Sequence, residues 1–126
     1  MILLLALLQA APAAPAPDDD LVIIGRRLES WRGAIRTNPF GTKCVTKHST
    51  GDPEIDAVGC TALERCWPDT LPRMKAAHAR GVAPAEGKRL EAEAIEAFTA
   101  CAKPQRAALI ESLRDRRAAA RAGTTQ

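Results

Sequence analysis

The rhythm of apolar and polar positions changes several times along this chain, and each change predicts an element. After a leading apolar run and the acidic triplet Asp18-Asp19-Asp20, the block Leu21-Val22-Ile23-Ile24 is largely β-branched and is closed by Gly25-Arg26-Arg27. That composition predicts a short first strand. A second strand is expected over Trp31 to Thr37. Asn38-Pro39-Phe40-Gly41 has the make-up of a turn, with Pro second and Gly fourth. Thr42 to His48 then alternates, which puts Cys44, Thr46 and His48 on one face and Lys43, Val45 and Lys47 on the other. The simplest arrangement is an antiparallel meander.

From Asp52 onward the period becomes helical. Asp52-Pro53-Glu54 supplies an N-cap, a proline at the first helical position and a first-turn acid. This helix is expected to run to about Trp67 and to stop at Pro68, because proline removes a backbone bond and crowds the preceding turn. A short helix from Leu71 to Ala79 would end at Gly81. Pro84 and Glu86 open another, whose Leu90, Ala94, Phe98 and Cys101 form one apolar stripe. Pro104 restarts the pattern, with Leu109, Ile110 and Leu113 facing inward. Alanine and arginine dominate Arg114 to Ala122, and residues 123–126 read as a frayed tail. The predicted class is α+β, a short antiparallel strand meander followed by three to four helices.

Length and composition narrow this further. At 126 residues the chain makes one domain. Only 3% of residues are aromatic, so the core must rest on Ala, Leu, Ile and Val. A net charge of +3 is too mild to imply a nucleic-acid partner. Met1 to Ala16 has the apolar run Ile2–Leu8 followed by small residues, and Ala11-Pro12-Ala13 fits a signal-peptidase site. The chain therefore reads as exported, with cleavage after Ala13, or at the latest after Ala16, and a single domain over 18–122. No Lys or Arg precedes the apolar run. The run is also shorter than the roughly 20 residues that span a bilayer, so no membrane span is expected after cleavage. A periplasmic or secreted location follows.

Four cysteines behind an export signal imply two disulfides. Cys60 and Cys66 lie on one predicted helix, roughly 9 Å apart along its axis at 1.5 Å per residue. That exceeds the roughly 7 Å limit between bonded Cα atoms, so they cannot pair with each other. They also sit about 120° apart around the helix, so one should face the strands and the other the later helices. Cys44–Cys60 with Cys66–Cys101 is the favoured pairing, and Cys44–Cys66 with Cys60–Cys101 is the alternative. A structural role is expected, since Cys-x-x-Cys is absent.

The stretch from Gly41 to Pro68 (residues 41–68) resembles the start of the TonB C-terminal domain. Cys44-Val45-Thr46 stands in that family's strand, Ser49-Thr50-Gly51 in its loop, Ile55-Asp56 at its helix start, and Leu63, Trp67 and Pro68 further on. The resemblance covers under a quarter of the chain. That family continues with another strand after the proline and carries an anchor and a long spacer, so energy transduction is not carried over. The resemblance implies a strand–loop–helix unit whose relatives bind extended peptides by strand addition. Asp20 to Arg27 is weakly similar to the TonB box of outer-membrane receptors. Leu21, Val22, Ile23 and Ile24 are thus a candidate partner edge, against the simpler reading of an ordinary first strand.

His48, Ser49, Asp52 and Asp56 could suggest a nucleophile and a base, but loop and cap chemistry explains Ser49 and Asp52 better. No catalytic residue, metal site or cofactor is expected, with His48 and His78 the only histidines. Glu91, Glu93 and Glu96 read as a solvated helix face. Lys103 onward holds six basic and two acidic residues, and an anionic surface could be met through Arg106, Arg114, Arg116, Arg117 and Arg121. The expected role is a small non-enzymatic binding or accessory protein with a protein or peptide partner in the cell envelope. The alternative is a structural or inhibitor-like disulfide scaffold that displays the basic C-terminal helix.

Overall fold

In the computed structural model the described residues are 17–124. The expected export segment and residues 125–126 lie outside them. The element order is α1 (Pro17–Ser30), β1 (Arg32–Asn38), β2 (Gly41–His48), α2 (Pro53–Ala77) and α3 (Pro84–Thr124).

The segment Leu21–Ile24, expected as a first strand and a partner edge, is the middle of α1. Its β-branched composition is outweighed by a longer period: Ile24, Leu28 and Trp31, spaced four and three apart, are all buried, while Val22 and Ile23 stay exposed. Burial of one stripe against tertiary neighbours overrides local strand preference. Asp19 and Asp20 fall in the first turn of the helix, where the dipole favours negative charge. As a helix, the segment has no free strand edge to offer.

The meander is accordingly a two-stranded hairpin, β1 antiparallel to β2. Asn38 pairs with Gly41, Arg36 with Lys43, Ile35 with Cys44 and Ala34 with Val45, and a bulge falls between Arg32 and Gly33. The turn lies at Asn38–Gly41, and the side chain of Asn38 accepts from the Phe40 N–H at 2.9 Å.

Both long helices pass through the prolines expected to stop them. α2 contains Pro68 and Pro72, and α3 contains Pro104, so the described residues form three helices. Proline deprives the carbonyl four residues earlier of its partner. Those carbonyls belong to Glu64, Pro68 and Ala100, all exposed, so water can take the place of the missing bonds. α2 and α3 run antiparallel: Asp52 meets Arg117, Arg65 meets Gln105, and Cys66 is bonded to Cys101. That disulfide ties the helices together close to Pro68 and Pro104, where each backbone ladder is interrupted. α3 continues through Gly123 and Thr124, in the stretch that reads from the sequence as a frayed tail. Its two halves do different work. The first packs on the far end of α2, with Ala77, Ala94 and Ala102 buried, and the second carries Leu113, 0% exposed, into the main core.

That core gathers Ile24, Leu28, Trp31, Cys44, Ile55, Val58 and Leu113. Trp31 is its centre. The indole N–H donates to Thr46 Oγ1 at 3.1 Å, and the ring lies between the backbones of Gly33 on β1 and Gly59 on α2. A Cβ on Gly59 would sit 2.6 Å from the ring, and one on Gly33 would overlap it outright. Both glycines are there for close approach, which lets α2 lie against the hairpin.

Candidate functional site

Four places could carry function: the loop entering α2, the hairpin edges, the basic C-terminal part of α3, and a groove along α3. The loop is held by Asp56, whose carboxylate accepts from Ser49 Oγ at 2.5 Å, Thr50 Oγ1 at 2.7 Å and the Thr50 N–H at 2.8 Å. Ser49 Oγ in turn accepts from the Gly51 N–H at 3.0 Å, and Gly51 has the positive φ of 85° that this turn requires. Asp52 caps α2 by accepting from the Glu54 and Ile55 N–H groups at 3.0 and 3.4 Å. Arg117, reaching across from α3, donates to Asp52 at 2.6 Å and lies 3.4 Å from Glu54.

Burial would raise the Asp52 pKa, but the hydrogen bonds from Arg117 and from the helix N–H groups together outweigh it. The carboxyl is held below the ordinary carboxylate value. Burial also acts to raise Asp56, and the Ser49 and Thr50 hydrogen bonds outweigh it and bring that group down as well. The arrangement locks a strand to a helix. Ser49 Oγ donates its hydrogen bond to Asp56, and His48, exposed nearby, makes no side-chain hydrogen bond among the described residues. His78 lies at the other end of α2, 3.5 Å from Glu91. Among the described residues no three His, Cys, Asp or Glu side chains are grouped to hold a metal ion.

The hairpin brings the cysteines into place. Cys44 is bonded to Cys60, and Cys66 to Cys101, with Cα separations of 5.4 and 5.8 Å. On an antiparallel pair, alternate residues turn their N–H and C=O groups outward. With Asn38 and Gly41 as the pair that closes the two-residue turn, the outward groups belong to Gly33, Ile35 and Thr37 on β1 and to Thr42, Cys44 and Thr46 on β2. The β2 edge is partly closed, since the Cys44 N–H donates to Glu64 Oε1 at 3.2 Å. Among the described residues, no hydrogen bond reaches the outward groups of β1.

The basic part of α3 presents less free charge than its composition implies. Arg117 is drawn to Asp52 and Glu54, Arg121 to Asp20, and Arg114 to Asp115 at 3.1 Å. Arg116 bonds Ser112 Oγ at 3.0 Å. Arg106 borders an open, mainly apolar groove of about 480 Å³ that follows α3 from Phe98 to Ile110. Its Nε is buried without a hydrogen-bond partner, as is the indole nitrogen of Trp67, whose ring meets Phe98 edge-on at 6.3 Å.

Unpaired cations are found instead on the hairpin, where sequence reading assigned no role. Arg36, Lys43 and Lys47 are exposed and form no ion pair among the described residues. The signal lay in the sequence as an acid-free interval between Glu29 and Asp52. No described helix is long and apolar enough to cross a membrane. Comparison with protein-family models, with curated proteins and with solved structures yields no match.

Proposed function

We propose that this chain is a small exported, non-enzymatic binding module that takes an extended segment of an envelope protein by strand addition along the outer edge of β1. The open β1 edge carries the reading: the outward groups of Gly33, Ile35 and Thr37 form a short template for a third strand. The export-type leader and the two disulfides support an oxidising compartment. The resemblance of residues 41–68 to a peptide-binding strand–loop–helix unit supports the mode of binding. The recipient edge is β1, while Leu21–Ile24 lies within α1 and gives Ile24 to the core.

The test uses Thr37→Pro. Proline is tolerated on an edge strand where the N–H faces outward, so the β1–β2 ladder stays intact while one donor to the added strand is lost. In the free protein the amides of Gly33, Ile35 and Thr37 should exchange fast. An envelope protein captured by the parent chain should protect them and should not be captured by Thr37→Pro. Slow exchange of all three in the free protein, or equal capture by the variant, would refute strand addition here.

A further inference from the structure

The outer face of the hairpin points to a second contact, built from residues other than the β1 edge. Phe40, one of only four aromatics in the chain, stands at the tip of the turn and is 97% exposed. Directly behind it Arg36 and Lys43 are register partners, so two like charges face each other across the strands. Such pairs are destabilising when nothing lies between them. Lys47 lies further back on the same face of β2, with the half-buried Ala34 and Val45 between it and the tip. Arg32 is spent on the carbonyls of Glu29 and Trp31, at 2.7 and 2.8 Å. The interval between Glu29 and Asp52 holds no acid, and Glu64, the carboxylate that reaches β2 from α2, accepts the Cys44 N–H at the strand edge.

We propose that the hairpin tip docks on an anionic phospholipid surface, with Phe40 entering the interfacial layer and Arg36 and Lys43 meeting lipid phosphates. The spacing suits that occupant. At about 3.4 Å per residue, Lys43 lies on the order of 10 Å behind Phe40, comparable to the depth of a bilayer's headgroup region. Aromatic side chains settle at that boundary, and basic groups remain at the charged surface. An acidic polypeptide lying on the sheet face could use the cations, but it would leave Phe40 projecting past it into water.

Co-sedimentation of the full chain with vesicles of phosphatidylcholine alone, and with one third phosphatidylglycerol, tests the assignment. Residues 1–16, common to every variant, carry no basic side chain and add the same background to both lipids. Binding should favour phosphatidylglycerol and fall with salt. Each neutralised cation should cost about fivefold in partition, so Arg36→Gln with Lys43→Gln should lose about 25-fold on the anionic vesicles and little on the neutral ones. Phe40→Trp should gain a blue-shifted emission, quenched by brominated phosphatidylglycerol, above the signal from Trp31 and Trp67. These positions are exposed, so thermal melts should show every variant folded. Undiminished binding of the double variant, or an unshifted Phe40→Trp, would overturn the proposal. So would tight binding of polyglutamate that Phe40→Ser leaves unchanged, because the face would then be a site for acidic polypeptide.

Discussion

Gly59→Ala adds one methyl group against the indole of Trp31. In a helix interior this exchange ordinarily stabilises by up to about 1 kcal/mol, because alanine has less backbone freedom to lose. Here the new Cβ would lie 2.6 Å from ring atoms, and the ring would have to retreat by roughly 1 Å to reach ordinary carbon contact at about 3.5 Å. It has no room to do so. Gly33 backs its other side, and the indole N–H is bonded to Thr46 Oγ1. Overpacking of this kind costs about 1–3 kcal/mol, and a ring clamped from both sides belongs at the upper end. Set against the propensity gain, the net loss is about 2 kcal/mol, or roughly 10 °C in Tm for a domain of this size. Gly25 in α1 is the control, since a Cβ there meets nothing within 4 Å. Gly25→Ala should therefore stabilise. Urea melts at pH 7 with the disulfides intact measure both, and Gly59→Ala in a Trp31→Leu background should recover most of its loss. If Gly59→Ala stabilises like Gly25→Ala, or if the Trp31→Leu background changes nothing, the account of the Trp31 contact is wrong.

Two other perturbations address the framework and the helix start. Replacing Cys66 and Cys101 by alanine removes a constraint spanning 35 residues, and replacing Cys44 and Cys60 removes one spanning 16. The chain-entropy model gives losses of about 4 and about 3 kcal/mol. Denaturation midpoints should rank the variants in that order, and a reversed ranking would mean that the helix brace matters less than the hairpin brace. Asp52 and Asp56 both have lowered folded pKa values, so their stabilisation is fully present above the unfolded value of about 3.9 and is lost as pH falls through the folded values. Stability should decline below about pH 4, and Asp52→Asn with Asp56→Asn should flatten that decline in pH-dependent melts. Arg117→Gln should cost about 2 kcal/mol at pH 7, as expected for a charge-assisted bond that bridges two elements, and a loss within 0.5 kcal/mol would place the contact among weak surface pairs.

The legible parts of the candidate sites were those written in local chemistry. The Asn38–Gly41 turn, the alternation of β2 and the Asp52-Pro53-Glu54 cap each depend on neighbours a few residues away, so the hairpin and the start of α2 could be read directly. The cation-bearing hairpin face was visible as alternation, yet its lack of ion pairs became meaningful only when the arginines of α3 proved to be engaged elsewhere. Charge counted along a chain does not say which charges meet.

By itself the sequence determined the α+β class, the hairpin, the entry into α2 and the impossibility of a Cys60–Cys66 bond, because each follows from short-range sterics or helix geometry. Only the tertiary structure decided the rest. It made a helix of Leu21–Ile24, since Ile24, Leu28 and Trp31 gain more by burial together than a lone strand could gain by β-propensity. It carried two helices through three prolines, since the carbonyls they orphan belong to exposed residues and a disulfide holds the crossing. It set Trp31 between two glycines 26 residues apart, a contact with no signature along the chain. Burial and close approach are properties of what lies opposite, and what lies opposite is settled only when the chain has folded.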